Sequence, residues 1–455
     1  MLTKNNLKKL GNRILIVPAF CLILFSLSIL ASDSFSQERL SESRQKEIID
    51  TLCSKLEKFY PIPETGKNTS RYIYGNYQEG KYSIFTLPSE FVQQLNNDLE
   101  FSSKDGHLGI IFDSLTAAEL KNEYKSNDSG KSYADLIYES ERWSNYGFKE
   151  LKILDGNIGY LNLKTFFSLK YAGETAATAM NFFSNCNGLI IDLRGNGGGW
   201  DEMVTFLASY FINNVDDVTL NVTRSTLDNS YSTSKLSAYV PGKKLTSIPV
   251  VILTSKSTAS AAEAFTSIMK HFSKNASVIG ETTAGAENPV SDIFLFGAYI
   301  LRIPTWQKIS SYDMTGWEGS GIKPDIEVDS DSSLEAAHIF LLQKLKEGSM
   351  NETIKNKYLW YIEGVNALRN SISIPVNIMQ AYSGKYGNRN IYFENGGLHY
   401  QYKGRKKRRM CAISNDYFLI EGSDQFRVKF IKNNNKVIGL NAVYNDGSII
   451  NLKKE

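Results

Sequence analysis

The chain has 455 residues, of which 42% are hydrophobic and 22% charged, so it is long enough for two or three globular domains. Its formal net charge of +3 is too small to favour nucleic acid as a partner. The four cysteines and four histidines show neither a disulfide framework nor metal-ligand spacing, so no metal site and no cofactor are expected.

The first 36 residues are predicted to be an export signal. Basic residues precede the apolar run 14–31, and the chain becomes polar at 32–37. A basic start, an apolar centre and the small residues Ser34 and Ser36 before Gln37 are typical of a cleavable signal peptide. Because the apolar run is long for a signal, an uncleaved membrane anchor at 14–31 is the alternative. The expected location is therefore periplasmic or extracellular, with membrane association if the segment is retained.

Residues 37–100 are predicted to form a helical N-terminal subdomain. Apolar residues recur at helical spacing within 39–60 and again within 88–99. A polar stretch containing Gly, Pro and Asn separates these two patterns.

A short turn then leads into the first candidate for chemistry, His107. Asp105 and Gly106 precede it, and a strand is predicted at 108–112. An isolated histidine usually has a structural role. Its place on a loop directly before a strand, beside an aspartate, is where catalytic groups often lie.

The predicted core, residues 101–345, contains buried strands that alternate with helices. Apolar, β-branched runs predict strands of a parallel sheet at 159–163, 187–193 and 248–253. The second run leads into the glycine-rich turn 194–199, which lacks the lysine of a phosphate-binding loop. Its backbone N–H groups suit an anion or an oxyanion, and a plain tight turn is the alternative.

Ser260 is the candidate nucleophile. It follows a strand and a turn of small residues, and it opens an alanine-rich amphipathic helix. This geometry places the hydroxyl at the carboxyl edge of the sheet, where the helix dipole favours negative charge. The N–H of Ala261 lies in the first helical turn and is free to bind an oxyanion. A simple N-cap is the alternative role for Ser260.

The last third of the chain holds one further candidate and a change in character. Glu318 lies in a glycine-rich loop, either as the partner of a histidine or as a solvated side chain. An amphipathic helix is predicted at 334–346. Short alternating segments within 376–455 predict a separate all-β module, a small barrel or meander. Its basic run 405–409 is expected to be a solvated hairpin.

Four blocks together resemble a known family of serine peptidases. They are D-G-H-L at 105–108, D-L-R-G-N-G-G-G at 192–199, S-T-A-S-A-A-E at 257–263 and G-W-E-G-S-G-I-K-P-D-I at 316–326. In this order they resemble the C-terminal-processing (tail-specific) peptidases, the tricorn core proteases and interphotoreceptor retinoid-binding protein, over residues 45 to 330. The resemblance implies an α/β fold with a crotonase/ClpP-like spiral β-α core. The C-terminal module resembles small barrels of bacterial secreted hydrolases, which suggests a bacterial origin.

Two branches of this family differ in the base that activates the serine. The processing peptidases use a lysine in the loop after the next strand, but Gly285 occupies that place here. No lysine occurs between Lys274 and Lys308. The tricorn-like branch instead uses a histidine and a glutamate, which His107 and Glu318 resemble.

The resemblance therefore implies a role for each candidate. Ser260 would be the nucleophile, His107 the general base, and Glu318 the group that stabilises the imidazolium. Ala261 and the glycine turn, at Gly198 with Gly197 beside it, would form the oxyanion hole.

Tricorn places a serine before its histidine as a bridge to the glutamate, and this chain has Gly106 there. Asp105 and Ser103 are the candidates to orient His107 instead, unless the bridge is absent.

The predicted function is that of an exported serine peptidase that hydrolyses peptide bonds of a peptide or protein substrate, by C-terminal processing or by trimming. A non-catalytic ligand- or peptide-binding protein on the same scaffold is the alternative. Hydrolysis of esters or β-lactams by the same serine is a third hypothesis.

Overall fold

The computed structural model describes residues 39–123, 133–213, 219–312, 316–369, 372–434 and 436–455. The predicted export segment, 1–36, lies outside these ranges. Of the helices within them, none combines the length and the apolar character that a bilayer crossing needs.

Eleven α-helices lie in the described ranges. In chain order they are α1 (Glu42–Phe59), α2 (Pro63–Gln78), α3 (Pro88–Ser103), α4 (Ser114–Glu123), α5 (Tyr133–Trp143), α6 (Leu169–Phe182), α7 (Asp201–Ala208), α8 (Ala261–Phe272), α9 (Ser330–Gly348), α10 (Glu352–Arg369) and α11 (Val376–Tyr382).

Twenty strands accompany them in the same ranges. They are β1 (Gly109–Phe112), β2 (Phe148–Leu154), β3 (Ile158–Leu163), β4 (Gly188–Asp192), β5 (Thr219–Ser225), β6 (Tyr231–Lys235), β7 (Val250–Thr254), β8 (Ala276–Gly280), β9 (Val290–Phe296), β10 (Tyr299–Pro304), β11 (Trp306–Ser311), β12 (Ile326–Glu327), β13 (Gly384–Tyr386), β14 (Arg389–Glu394), β15 (Gly397–Tyr402), β16 (Arg408–Ala412), β17 (Tyr417–Ile420), β18 (Ser423–Asn433), β19 (Lys436–Tyr444) and β20 (Ile449–Lys453).

A six-stranded sheet in the order β12-β8-β7-β4-β3-β2 forms the core. All neighbours are parallel except β2, which pairs antiparallel with β3. Helices α6, α7 and α8 bury one face, and α9 and α10 bury the other. Every residue of β4 and β7 is buried for this reason, which explains their unbroken apolar sequences.

The carboxyl ends of β4 and β7 bring two functional turns side by side. The hydroxyl of Thr258 donates to the carbonyl of Leu193 (2.8 Å), and the N–H of Ala259 donates to the carbonyl of Asn196 (3.1 Å). The glycine-rich turn and the turn before Ser260 are therefore held against each other at one edge of the sheet.

The N-terminal helices pack on a second, antiparallel sheet, in the order β1-β10-β9. Side chains of α1 and α3 share one apolar cluster with these strands, and Leu95, Leu99, Leu301 and Ile303 are fully buried in it. The helical region is thus completed by strands from much later in the chain.

Helix α2 occupies the polar stretch between the two predicted helical patterns, where the sequence analysis had identified no helix of its own. Its helical pattern is weak because several of its buried residues are polar, among them Thr69, Ser70 and Asn76. A Cβ on Gly66 would lie 2.6 Å from the carbonyl oxygen of Leu56, so close packing of α2 on α1 requires glycine there.

Other departures from the sequence analysis are small. Strands β5 and β6 form a further antiparallel sheet with β11, where the sequence predicted none. Helix α7, which follows the glycine-rich turn, is short and ends at Ala208. His338 is buried, with Nε2 placed 2.7 Å from the carbonyl oxygen of Asp155.

The C-terminal region is an eight-stranded antiparallel meander from β13 to β20. The N–H of Glu455 donates to the carbonyl of Lys385 (2.9 Å), which brings the two ends of the sheet together into a nearly closed barrel. Tyr382 stacks on Phe430 in its core, with ring centroids 3.9 Å apart. The predicted fold class is confirmed: α/β, with a helical N-terminal region and an all-β C-terminal module.

Candidate active site

Ser260 lies between β7 and α8 in an unusual backbone conformation. Its φ of 55° and ψ of −121° fall where residues other than glycine are rare. Such a conformation costs on the order of 1–3 kcal/mol and is found mainly at functional sites. The side chain is half-buried, so the hydroxyl remains accessible at the positive end of α8.

The N–H of Ala261, the first helical residue, has no acceptor within the described ranges. It therefore remains available for a negatively charged oxygen formed at Ser260.

Gly198 lies directly against the serine. A Cβ added to it would sit 2.8 Å from Cβ of Ser260 and 3.1 Å from the backbone nitrogen of Ala261, and its φ is 115°. Only glycine fits here. The N–H of Gly198 is donated to Oδ1 of Asn196 (2.8 Å), and its carbonyl accepts the N–H of Phe166 (2.9 Å).

The N–H of Gly198, which was predicted to bind the oxyanion, is donated to Asn196 in this conformation. Gly197 is exposed, and its N–H meets no acceptor in the part of the chain that the structure describes. The N–H of Ala261 is thus an available donor beside Ser260, and Gly198 allows the close approach of the two turns.

The turn that carries His107 is fixed through its backbone. Helix α3 ends at Ser103, and Lys104 turns the chain with a φ of 59°. Oδ1 of Asp105 accepts the N–H of His107 (2.8 Å), and Oγ of Ser103 accepts the N–H of Asp105 (3.1 Å). Both residues proposed to orient the imidazole therefore hold the main chain, and neither is hydrogen-bonded to the ring.

The ring of His107 is suited to accept a proton. Its Nδ1 is fully enclosed and has no hydrogen-bond partner among the described residues. Burial lowers the pKa of His107; the carboxylates of Asp105 and Glu263 oppose this, and Arg302 adds to it. A histidine that is neutral near pH 7 can serve as a general base.

No hydrogen bond joins His107 to Ser260 within the described ranges. Glu263, one of the two carboxylates that oppose the lowered pKa of His107, also accepts the N–H of Ser260 (2.9 Å).

Glu318 is held by one oxygen only. Its Oε2 accepts the N–H groups of Glu287 (2.8 Å) and Asn288 (3.1 Å), and Nδ2 of Asn288 (3.1 Å). Its Oε1 is enclosed and without a partner in the described part of the chain. Burial, followed by the charge of Asp105, raises the pKa of Glu318 to about 7. The structure thus brings Glu318 and the His107 turn into one region without a hydrogen bond between the two side chains.

The packing around Gly285 leaves no room for the lysine side chain that the processing peptidases have at this position. Gly285 has a φ of 84°, and a Cβ there would lie 2.9 Å from the backbone nitrogen of Gly321. A side chain at this position would collide with the loop that carries Glu318.

Sequence analysis did not assign a role to the buried network at the end of β4. Asp192 forms a bidentate ion pair with Arg194, at 2.9 and 2.6 Å, and accepts the hydroxyl of Tyr160 (2.7 Å). Arg194 also donates to the carbonyl of Ser330 (2.5 Å), which ties the glycine turn to α9. The D-L-R triplet was the signal, because two opposite charges directly after a buried strand need partners.

The fold and site define an α/β scaffold with a serine at a strand-turn-helix junction, and comparison with known proteins finds a family that matches part of it. Residues 157–328 match the family described as Peptidase family S41. Ser260 and Glu318 lie within the segment, and His107 precedes it.

Two curated relatives match parts of the chain. Carboxy-terminal processing protease CtpB of Bacillus subtilis (strain 168) is 24% identical over 210 residues, which cover 46% of this chain and 41% of that protein. Carboxy-terminal processing protease CtpA of the same organism is 32% identical over 138 residues, or 30% of this chain and 28% of the relative. The matches thus span less than half the length of either relative.

Solved structures also align at low identity. Mature CPAF is 14% identical with a TM-score of 0.46, covering 68% of this chain and 99% of that one. The photosystem II D1 C-terminal processing protease is 15% identical with a TM-score of 0.40, covering 64% of this chain and 94% of that one.

Proposed function

We propose that this protein is an exported serine peptidase in which Ser260 is the nucleophile and His107 the general base. The observation that carries the proposal is the conformation of Ser260: a strained serine at the start of a helix, beside the unused N–H of Ala261. The family of residues 157–328 supports the same reaction class.

The chemistry follows from these groups. His107 takes the proton of Ser260 as Oγ attacks the carbonyl carbon of the scissile peptide bond. The tetrahedral oxyanion is bound by the N–H groups of Ala261 and Gly197; loss of one such donor typically costs ~10²–10³ in rate. His107 then protonates the leaving amine, and water hydrolyses the acyl-enzyme by the same steps.

Glu318 would favour the imidazolium once it forms. Because burial and the charge of Asp105 raise its pKa to about 7, a cation that forms nearby would increase its ionised fraction. Proton transfer to His107 supplies such a cation. Catalytic hydrogen bonds that are absent without substrate often form only in the complex, so closure of the site on a peptide is part of this proposal.

The first experiment is labelling of the mature chain with a serine-directed fluorophosphonate. Wild type should label, and Ser260→Ala and His107→Ala should not. Ser257→Ala and His271→Ala are matched controls, since both side chains are exposed and neither belongs to the site. Labelling that persists in Ser260→Ala would contradict the proposal.

One observation favours a second function. Because His107 and Ser260 are not hydrogen-bonded in the described structure, the same scaffold would also suit a non-catalytic peptide- or ligand-binding protein. A folded wild type that resists labelling, yet binds peptides, would establish that alternative.

We further propose C-terminal processing as the mode of cleavage, on the basis of the two named relatives. Matched peptides with a free or an amidated C-terminus, analysed by mass spectrometry, test this. Preference for the free carboxylate is expected, and equal cleavage would indicate an endopeptidase.

Export is proposed from residues 1–36, with 14–31 as an anchor if they are retained. Fractionation of cells and N-terminal sequencing of the purified protein would test it. A new N-terminus at Gln37 is expected, and a cytoplasmic chain with an intact N-terminus would contradict export.

A further inference from the structure

Glu263 is an unusual residue for the first turn of a helix because its side chain is completely buried. A buried carboxylate is costly unless it is paired or fully hydrogen-bonded. Within the described ranges no cationic side chain forms an ion pair with it. Its two oxygens instead accept four hydrogen bonds from the surrounding chain.

The four donors come from two directions. Oε2 accepts the N–H of Ser260 (2.9 Å), the strained residue, and the N–H of Ala286 (2.8 Å). Oε1 accepts the hydroxyl of Thr283 (2.5 Å) and the N–H of Gly285 (2.7 Å). One carboxylate therefore joins the backbone of the proposed nucleophile to the loop 283–286.

The same loop continues to Glu318. The N–H groups of Glu287 and Asn288 hold Oε2 of Glu318, and Oε2 of Glu287 in turn accepts the N–H of Glu318 (3.3 Å). The N–H of Gly319 donates to the carbonyl of Gly285 (2.8 Å). Loop 283–288 thus lies between α8 and the glutamate loop, and it is hydrogen-bonded to both.

We infer that Glu263 is a positioning residue that fixes the Ser260 backbone and the Glu318 loop relative to each other. The inference rests on the proposed function, and it concerns how that site is held together. A glutamate at this helical position often serves only as a capping-box residue, which bonds the N-cap amide and is otherwise exposed. Glu263 makes that bond and three tertiary ones, all in the interior.

Glu263→Gln is the sharpest variant because it keeps the shape and removes the charge. The amide retains one acceptor oxygen, but its NH₂ group must face two donors, either Ser260 and Ala286 or Thr283 and Gly285. One of these two pairs of donors therefore loses its hydrogen bonds to residue 263. A misplacement of about 1 Å in a catalytic group costs on the order of 10²-fold in rate, so the maximal fluorophosphonate labelling rate should fall by about that factor.

A positioning role of Glu263 and a purely structural one are distinguished by measuring the maximal labelling rate and the reagent concentration at half-maximal rate separately. A positioning role predicts a lower maximal labelling rate with an almost unchanged reagent concentration at half-maximum. The thermal midpoint should also fall, because two buried donors lose their acceptor, so labelling is measured at a temperature at which the variant is fully folded. Thr283→Val removes one of the four donors and keeps the charge, so a smaller, roughly tenfold fall is expected. Glu64→Gln, at an exposed first-turn position of α2, is the matched control and should label like wild type.

Amide hydrogen exchange gives a readout that does not need catalysis. In Glu263→Gln the N–H groups of 285–288 and 316–322 should exchange faster, while those of β4 and β7 should not change. A folded Glu263→Gln chain with wild-type labelling and wild-type exchange would overturn the inference. If Glu263→Gln does not fold, Thr283→Val decides by the same two measurements. If wild type does not label but exchange rises in Glu263→Gln, the proposed function is rejected. The inference that Glu263 holds the Ser260 backbone and the Glu318 loop together would still be supported.

Discussion

The hydroxyl of Tyr60 donates a 2.6 Å hydrogen bond to Oδ2 of Asp105, whose other oxygen accepts the N–H of His107. Tyr60 is the C-cap residue that follows α1, and both it and Asp105 are buried. Burial and the Asp105 charge raise the pKa of Tyr60, so its proton stays in place as the donor. The backbone of the proposed base is therefore supported by the first helix of the N-terminal region.

Tyr60→Phe should weaken the proposed base through this contact. It leaves Oδ2 of Asp105 buried without a donor, so we expect a loss of about 2 kcal/mol in the free energy of unfolding. We also expect a roughly tenfold lower labelling rate at Ser260, because the His107 turn loses its support. Denaturant unfolding and labelling kinetics measure the two effects.

Tyr82→Phe is the matched control for this change. Tyr82 is also buried and donates to a carboxylate, Oδ2 of Asp98 (2.8 Å), but away from the His107 turn. It should lower stability without changing the labelling rate. Equal labelling by the two variants would show that the Tyr60 contact does not support His107.

Glu318→Gln should raise stability at neutral pH. The pKa of Glu318 is raised to about 7, above its ordinary 4.5, because burial and Asp105 disfavour the charge. The fold therefore favours the protonated form of Glu318. The stability that the protonated carboxyl contributes is fully present below about pH 4.5 and is lost as the pH rises through 7. Because the carboxyl is partly solvated, the gain for the neutral amide at pH 8 should be about 1 kcal/mol.

The free energy of unfolding of wild type and of Glu318→Gln, measured at pH 5 and pH 8, tests the direction of this pH dependence. The variant should be the more stable at pH 8, and the difference should largely disappear at pH 5. The exposed Glu64→Gln substitution controls for the loss of a charge as such. A constant difference between the two pH values would contradict the raised pKa. The same variant should lose labelling if Glu318 stabilises the imidazolium.

Gly198→Ala should abolish labelling by pressing on Ser260. The new Cβ would lie 2.8 Å from Cβ of Ser260 at a φ of 115°, so the two turns must separate. A fall of at least 10²-fold in the labelling rate is expected, because this displacement involves the nucleophile itself.

Gly297→Ala is the control for the cost of placing alanine at a positive φ without any steric contact. Gly297 has a positive φ of 56°, and an added Cβ there would meet no atom within 4 Å. It should cost about 1 kcal/mol of stability and leave labelling intact. If Gly198→Ala behaves in the same way, the close approach of the two turns is not needed for reactivity.

Asp192→Asn should destabilise the edge of the core sheet. Burial alone would raise the pKa of Asp192, but hydrogen bonds from Arg194 and Tyr160 lower it below its ordinary value. Removing one partner of such a pair costs roughly 3 kcal/mol. The stabilisation is present above the unfolded pKa of about 4 and is lost as the pH falls further, so the deficit of the variant should shrink in acid.

Equilibrium unfolding of wild type and Asp192→Asn from pH 7 down to pH 3 measures this deficit. Asp424→Asn serves as the control, because that side chain is exposed. A deficit that stays constant into acid would mean that the ion pair is not its source.

The sequence was sufficient for the parts of the molecule that depend on local patterning. The buried strands β4 and β7 and the helix that begins after Ser260 follow from unbroken apolar runs and a small-residue turn. The alternation predicted for the C-terminal module is seen in β15, where Leu398 and Tyr400 are buried and the residues beside them are more exposed.

What the sequence did not reveal depends on partners far away in the chain. Glu263 looks like a helix cap until Thr283, Gly285 and Ala286 are seen to converge on it. Gly198 was expected to offer its N–H to a ligand, and the side chain of Asn196 takes it instead. Tyr60 had no visible link to His107, since only folding brings the end of α1 to Asp105.

The dependence of the N-terminal helices on β9 and β10 has a consequence for how the protein is made. Helices α1 and α3 leave the ribosome early, but the strands that cover their apolar faces are synthesised only after Ser260 has appeared. Contacts so distant in sequence form late in folding. The supports of His107 and the loop that carries Glu318 therefore fall into place near the end of the process. Reactivity at Ser260 would then require that β9, β10 and the loop of Glu318 have been synthesised, and a product that stops before them would not label.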